Sequence, residues 1–300
     1  MAMIGLFQRA GVIISAIVVS MGFVSVSQAN ADDDQIGFAY DDAGVFPTFI
    51  DPSLPMDQIR RYQAAINDCL EKARGLQTHS VQSENFVLLS PSAVLIHSEL
   101  FRNTDAPKLS NTLLGQVCEA TEIGGMILAG DVIAICTVDQ AWWDKAVDTG
   151  RFCASLEHEV THIIQNERLQ LRERNAHHLT PESAGPFWLK EGLAEYYELS
   201  STISANNNTT MFAAYILGVE GHLLPDLSQL ESYEAASFFP TDFYKTVLAS
   251  TNLLIGLSSE TAVWDFYECI PSPKTWYTCF EQYFSMPVSE FYEIWRRRIP

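Results

Sequence analysis

Basic residues are scarce in this chain: 18 Lys and Arg stand against 37 Asp and Glu in 300 residues, for a formal charge of -19 at pH 7. So acidic a surface repels phosphate backbones and anionic headgroups, which argues against nucleic acid or an anionic membrane as partner. Long apolar runs are also scarce. The one present, residues 10–26, follows Arg9 and leads to Ala29-Asn30-Ala31, small residues that suit a cleavage point before Asp32. An export signal over 1–31 is therefore expected, with a periplasmic or extracellular mature chain and no stable membrane insertion after cleavage. The alternative is an uncleaved N-terminal helix that anchors the chain. There is no odd cysteine. All six, Cys69, Cys118, Cys136, Cys153, Cys269 and Cys279, follow the signal, and an even number in an exported chain suggests up to three disulfides of open connectivity. Cys269 and Cys279, which bracket Pro271 and Pro273, are the easiest pair to picture as a local staple. Repeats and long linkers are missing too, so residues 32–300 read as a single domain.

Two short words stand out against this background, His158-Glu159-Val160-Thr161-His162 and Trp188-Leu189-Lys190-Glu191-Gly192-Leu193-Ala194-Glu195-Tyr196. Histidines four apart on a helix point about 40° apart, so both imidazoles can reach one ion from the same face. This is the H-E-x-x-H zinc arrangement. A catalytic zinc takes three protein ligands, and Glu191 is the obvious third. By composition the first word arises by chance in roughly one chain of this size in a hundred, so its setting matters. Phe152, Leu156, Val160, Ile163 and Ile164 recur at helical spacing, and residues 152–174 hold neither Pro nor Gly. A second helix is expected over 187–199 after Gly185-Pro186, with Glu191 and Glu195 on one face.

Together the two words resemble the gluzincin metallopeptidases, in which H-E-x-x-H is followed on a later helix by a Glu in this kind of context. The resemblance implies one zinc ion per chain held by His158, His162 and Glu191, with Glu159 as general base and Glu195 as a carboxylate that orients a ligand histidine. Leu224-Pro225-Asp226-Leu227-Ser228-Gln229-Leu230, Tyr244 with Val247, Leu253 and Leu254, and the closing residues 284–292 look like the tail of small members of the group. The gap between His162 and Glu191 is longer than in the best-known branches, which leaves subfamily and substrate open. The implied fold is α+β and thermolysin-like: a small mixed sheet whose edge strand packs on the H-E-x-x-H helix, then a mainly helical lobe. On this reading 32–175 form the α/β lobe and 176–300 the helical one.

The remaining pattern fits such a fold. A helix is expected over 55–76, a buried strand at 86–89, a helix over 92–101 and a hairpin of 125–128 with 132–138. The run 132–138 is either the edge strand that could hold an extended peptide or an interior strand, since it is apolar on both faces. Trp142-Trp143 either lines a groove beside it or belongs to the core. Cys153, five residues before His158, is turned about 140° from it on a helix and suits a disulfide or buried thiol better than catalysis.

Chemically, zinc on two imidazoles and a carboxylate acidifies water, and Glu159, rotated about 100° from His158, can flank the metal and take a proton. Tyr244 is the expected oxyanion donor, with His222 and Tyr233 behind it. His177 and His178 read as loop, and His79 and His97 as ordinary. The sequence thus points to an exported zinc metallopeptidase acting on a peptide or protein substrate. Its rivals are a non-catalytic binding or scaffold protein on the same fold, and a zinc hydrolase of a non-peptide bond.

Overall fold

Five apolar segments of the chain condense into one sheet in the computed structural model, which describes residues 39–40, 48–76, 86–92, 118, 125–129, 132–170, 180–206, 225–232 and 243–298. The strands are β1 (Ala39–Tyr40), β2 (Thr48–Ile50), β3 (Phe86–Ser90), β4 (Gly125–Ala129) and β5 (Val132–Cys136), in the spatial order β1-β2-β3-β5-β4. β2, β3 and β5 run parallel, and antiparallel β1 and β4 flank them. β5 is therefore interior, with Leu88 level with Ala134 on one side and Ile127 on the other. Of the two readings of 132–138 the interior strand holds and the edge reading is corrected: every β5 residue is buried, as a strand covered on both faces requires. The strand stops at Cys136, and Val138 is exposed.

The helices are α1 (Met56–Leu76), α2 (Gln140–Asp148), α3 (Arg151–Arg168), α4 (Pro181–Ala184), α5 (Phe187–Asn206), α6 (Phe243–Leu257), α7 (Glu260–Cys269), α8 (Trp276–Phe284) and α9 (Val288–Arg298), with a 3-10 turn at Leu227–Leu230. The architecture is α+β, a small sheet with a parallel centre followed by a mostly helical C-terminal part. Among the described residues no helix is long and apolar enough to cross a membrane. The signal segment, residues 93–101 of the helix expected over 92–101, His79, His97, His177, His178, His222 and Tyr233 lie outside the described residues.

Three local features set the frame of the site. α3 ends at Arg168, earlier than the uninterrupted 152–174 pattern suggests, because Gln170 adopts φ 52° and turns the chain without a glycine to mark it. α5 starts after Gly185, whose φ of 74° is cheap only for glycine, and the N–H of its first residue, Phe187, donates to the Glu231 carbonyl at 2.8 Å. α5 then packs on α3 on one side and α6 on the other. The second contact is very close: a Cβ on Gly192 would come within 2.1 Å of Thr251 Oγ1 and 2.3 Å of the Val247 carbonyl oxygen.

The core runs from the sheet through α1 and α3 to the C-terminal helices and includes Val87, Ile133, Phe152, Trp188, Phe266 and Phe291. Trp143 is buried in it, while Trp142 lies at its margin with Arg151 over its ring. The six cysteines form Cys69–Cys153, Cys118–Cys136 and Cys269–Cys279. The last is the local staple the sequence suggested; the first ties α1 to α3, and it occupies the Cys153 thiol.

Candidate metal centre

His158 and His162 project from the middle of α3 and Glu191 from the first turns of α5, and all three are buried. Helix period aligns the two imidazoles; the docking of α5 on α3 brings the carboxylate to them. His158 Nε2 and His162 Nε2 face each other at 3.2 Å, with Glu191 Oε2 at 3.8 Å from the first and Oε1 at 3.5 Å from the second. Ligand atoms about 2.0–2.1 Å from a tetrahedral zinc stand roughly 3.3 Å from one another, so these spacings fit one ion. Two ring nitrogens directed at each other also need a cation or a proton between them. The three residues form a His2Glu cluster with the geometry for a single zinc ion per chain, consistent with the gluzincin H-E-x-x-H site and with a catalytic zinc-dependent hydrolase.

The outer faces of the two imidazoles meet different partners. His158 Nδ1 lies 3.1 Å from Glu198 Oε2 and 3.6 Å from Glu195 Oε1. Glu195 is thus near the expected place, but Glu198 is nearer, and the sequence reading did not single it out. The signal was available, since Glu191, Glu195 and Glu198 recur four and three apart on one helix face. His162 Nδ1 instead sits 2.8 Å from Gln165 Oε1, one turn along α3.

Carboxylates crowd this pocket and its electrostatics follow. Burial disfavours a charged His158, yet Glu198, Glu159 and Glu195 overcome it and raise the imidazole to about 10. Burial likewise pushes the Glu191 carboxyl up, but His162, His158 and Lys190 outweigh it and bring the group down to about 2. Glu195 is held well above the usual carboxylate range by burial and by Glu198. Glu157, a further buried carboxyl beside His158, is raised to about 8 by burial and Glu198. So many carboxyl groups packed around two imidazoles suit a divalent cation, whose charge would favour their ionised forms.

Glu159 is buried too, and burial raises it against the pull of both histidines. Tyr244 lies near the N-terminal end of α6, partly buried; burial, then Glu191, Glu195, Glu159 and Glu198, holds its phenol well above the usual range, so the hydroxyl keeps its proton. It stands one turn before Val247, so the close crossing at Gly192 also carries it towards the carboxylates. No family model matches the chain, and neither a curated protein nor a solved structure matches it.

Proposed function

We propose that the protein is an exported zinc-dependent peptidase. His158, His162 and Glu191 hold the ion, Glu159 is the general base, Tyr244 donates to the oxyanion, and Glu195 with Glu198 orients His158. The observation that carries the reading is the convergence of both histidines and Glu191 within 4.8 Å, with buried Glu159 beside His158 on the same helix. Bound there, zinc would supply Lewis acidity that acidifies water and polarises a carbonyl.

This chain's residues do the rest. The Glu159 carboxylate, made more basic by burial, takes a proton from the attacking water and passes it to the departing amine nitrogen. The Tyr244 hydroxyl, kept protonated, donates a hydrogen bond to the carbonyl oxygen as negative charge builds on it. A peptide rather than another acyl compound is favoured by β4. Among the described residues no strand pairs with its outer side, and α3 contacts it, so we take it as the edge to which an extended peptide adds.

Three disulfides support an oxidising location, and with the 1–31 pattern they favour a cleaved signal followed by one domain over 32–300, its α/β lobe at 32–175 and its helical lobe at 176–300. Zinc content of the purified protein, measured beside its cleavage of a mixed peptide library, tests the proposal. One zinc per chain with peptide cleavage is expected. Zinc without cleavage of any peptide would transfer the site to a non-peptide bond or to binding alone.

A further inference from the structure

The ring proton of His162 is assigned by a residue outside the ligand set. Gln165 is 0% exposed on α3. Its Nε2 lies 2.9 Å from the backbone carbonyl oxygen of Lys190 and its Oε1 lies 2.8 Å from His162 Nδ1. A backbone carbonyl has no proton to give, so it must face the amide NH2, and this settles which end of the Gln165 side chain is which. Oε1 is then the atom facing His162, and an amide oxygen can only accept. The ring proton of a neutral His162 therefore sits on Nδ1, which leaves the Nε2 lone pair free where it faces His158 Nε2 at 3.2 Å and Glu191 Oε1 at 3.5 Å.

We infer that Gln165 is a positioning residue that fixes the His162 tautomer by reading the main chain of α5, and so ties the readiness of His162 as a ligand to the docking of the segment that carries Glu191. Lys190 is the residue immediately before Glu191, so the carbonyl that orients Gln165 and the third ligand move together. If α5 shifts, both are lost at once. The contrast with His158 explains the choice of an amide. There Glu198 and Glu195 supply carboxyl oxygens; at His162 a further carboxylate would oppose the Lys190 carbonyl, two acceptors with no proton between them. Gln is neutral and offers one acceptor and one donor in the required order.

The consequence for metal binding rests on the zinc reading above, whereas the tautomer rests on the hydrogen bonds alone. The test therefore reads both in the full chain. Nitrogen chemical shifts of the imidazoles, measured at alkaline pH without metal, should place the His162 proton on Nδ1. Competition with a chromogenic chelator should show Gln165→Met, similar in size but unable to hydrogen bond, binding zinc roughly 10 to 100-fold more weakly than the wild type. In that variant the tautomer should become mixed. Gln165→Glu can still accept from Nδ1, so it should keep the tautomer and recover part of the lost affinity. A wild type with the His162 proton on Nε2 overturns the inference whatever the variants do, including a Met variant that fails to fold. So does a folded Gln165→Met with wild-type affinity, or Met and Glu variants equally weak with unchanged tautomer, which would mean packing alone. A wild type that binds no zinc would instead sink the metal reading and leave the tautomer result standing.

Discussion

Gly192 lies so close to Thr251 that a Cβ in its place would come within 2.1 Å of the threonine hydroxyl oxygen. One position after Glu191, this is where α5 and α6 meet, and the contact sets how far the third ligand reaches towards α3. Gly192→Ala should therefore destabilise the fold, although alanine favours a helix by about 1 kcal/mol over glycine. The steric term wins: the Val247 carbonyl oxygen, 2.3 Å away, is backbone and can yield only if α6 moves. A net loss of roughly 1–3 kcal/mol in urea unfolding is expected, with weaker zinc binding. Thr251→Ala should not rescue it, since the Val247 oxygen remains. An alanine variant as stable as the wild type would mean that the helices cross farther apart.

Either histidine changed to Ala should abolish stoichiometric zinc, because two remaining ligands hold the ion poorly. Elemental analysis decides this, and full zinc in His158→Ala would disprove the ligand set. Removing zinc with a chelator should lower the unfolding temperature, since an ion bound only by the folded state stabilises it. Glu198→Gln should weaken zinc binding more than Glu195→Gln, because Glu198 is nearer to His158 Nδ1, at 3.1 Å against 3.6 Å. Losses on the order of 10 to 100-fold are the expected scale for such orienting groups. The reverse order would give Glu195 the main orienting part.

Glu159→Gln should keep zinc and fold but lose nearly all hydrolysis, since it removes the base and no ligand. Tyr244→Phe keeps the ring and deletes the hydroxyl, so kcat should fall on the order of 10²-fold with little change in KM. Steady-state kinetics on one peptide substrate reads both. Unchanged kcat in Tyr244→Phe would pass the role to His222 or Tyr233, or leave zinc as the sole electrophile.

No thiol should react with an alkylating reagent in the denatured, unreduced protein, as all six cysteines are paired. Opening Cys69–Cys153 should cost more stability than opening Cys269–Cys279, because it closes a span of 84 residues rather than 10. Loop entropy puts the two near 4–5 and below about 3 kcal/mol as upper values. Equal losses in paired Cys→Ser variants would show that strain or packing outweighs loop entropy here.

Asp226 predicts a pH effect away from the site. Burial pushes its carboxyl up, but the hydrogen bonds from Arg296 and Ser228 prevail and hold it below its usual value. A carboxyl depressed on folding adds stability above its unfolded pKa, near 3.9, and loses it as pH falls through the folded value. Asp226→Asn should therefore be less stable at neutral pH and converge with the wild type in acid. The pair is partly exposed, so at most about 1 kcal/mol is expected, shrinking with salt. A difference that persists at low pH would make it packing rather than charge.

Local chemistry made much of this protein legible in advance. His158 and His162 share a helix face because of the helix period alone, and the runs 86–89, 125–128 and 132–138 announced strands by apolar composition and a turn between the last two, within two residues of the observed ends. Cys269 and Cys279 are close enough in sequence to find each other without the rest of the fold. The end of α3 was hidden because Gln170 takes a left-handed backbone that glycine usually signals. Whether 132–138 was edge or interior was undecidable, since an apolar run describes its own burial and not its neighbours.

By itself the sequence determined the spacing of ligands and base within α3 and the carboxylate row Glu191, Glu195 and Glu198 on α5, because spacing along one helix is a property of that helix. The tertiary structure decided what those rows meet. Glu191 reaches the imidazoles, Glu198 comes nearer to His158 than Glu195, and Gln165 joins His162 to the Lys190 carbonyl only because α5 docks on α3, with Gly192 allowing α6 in behind it. Contacts between helices depend on the crossing of two backbones, and no periodicity within either segment encodes that distance.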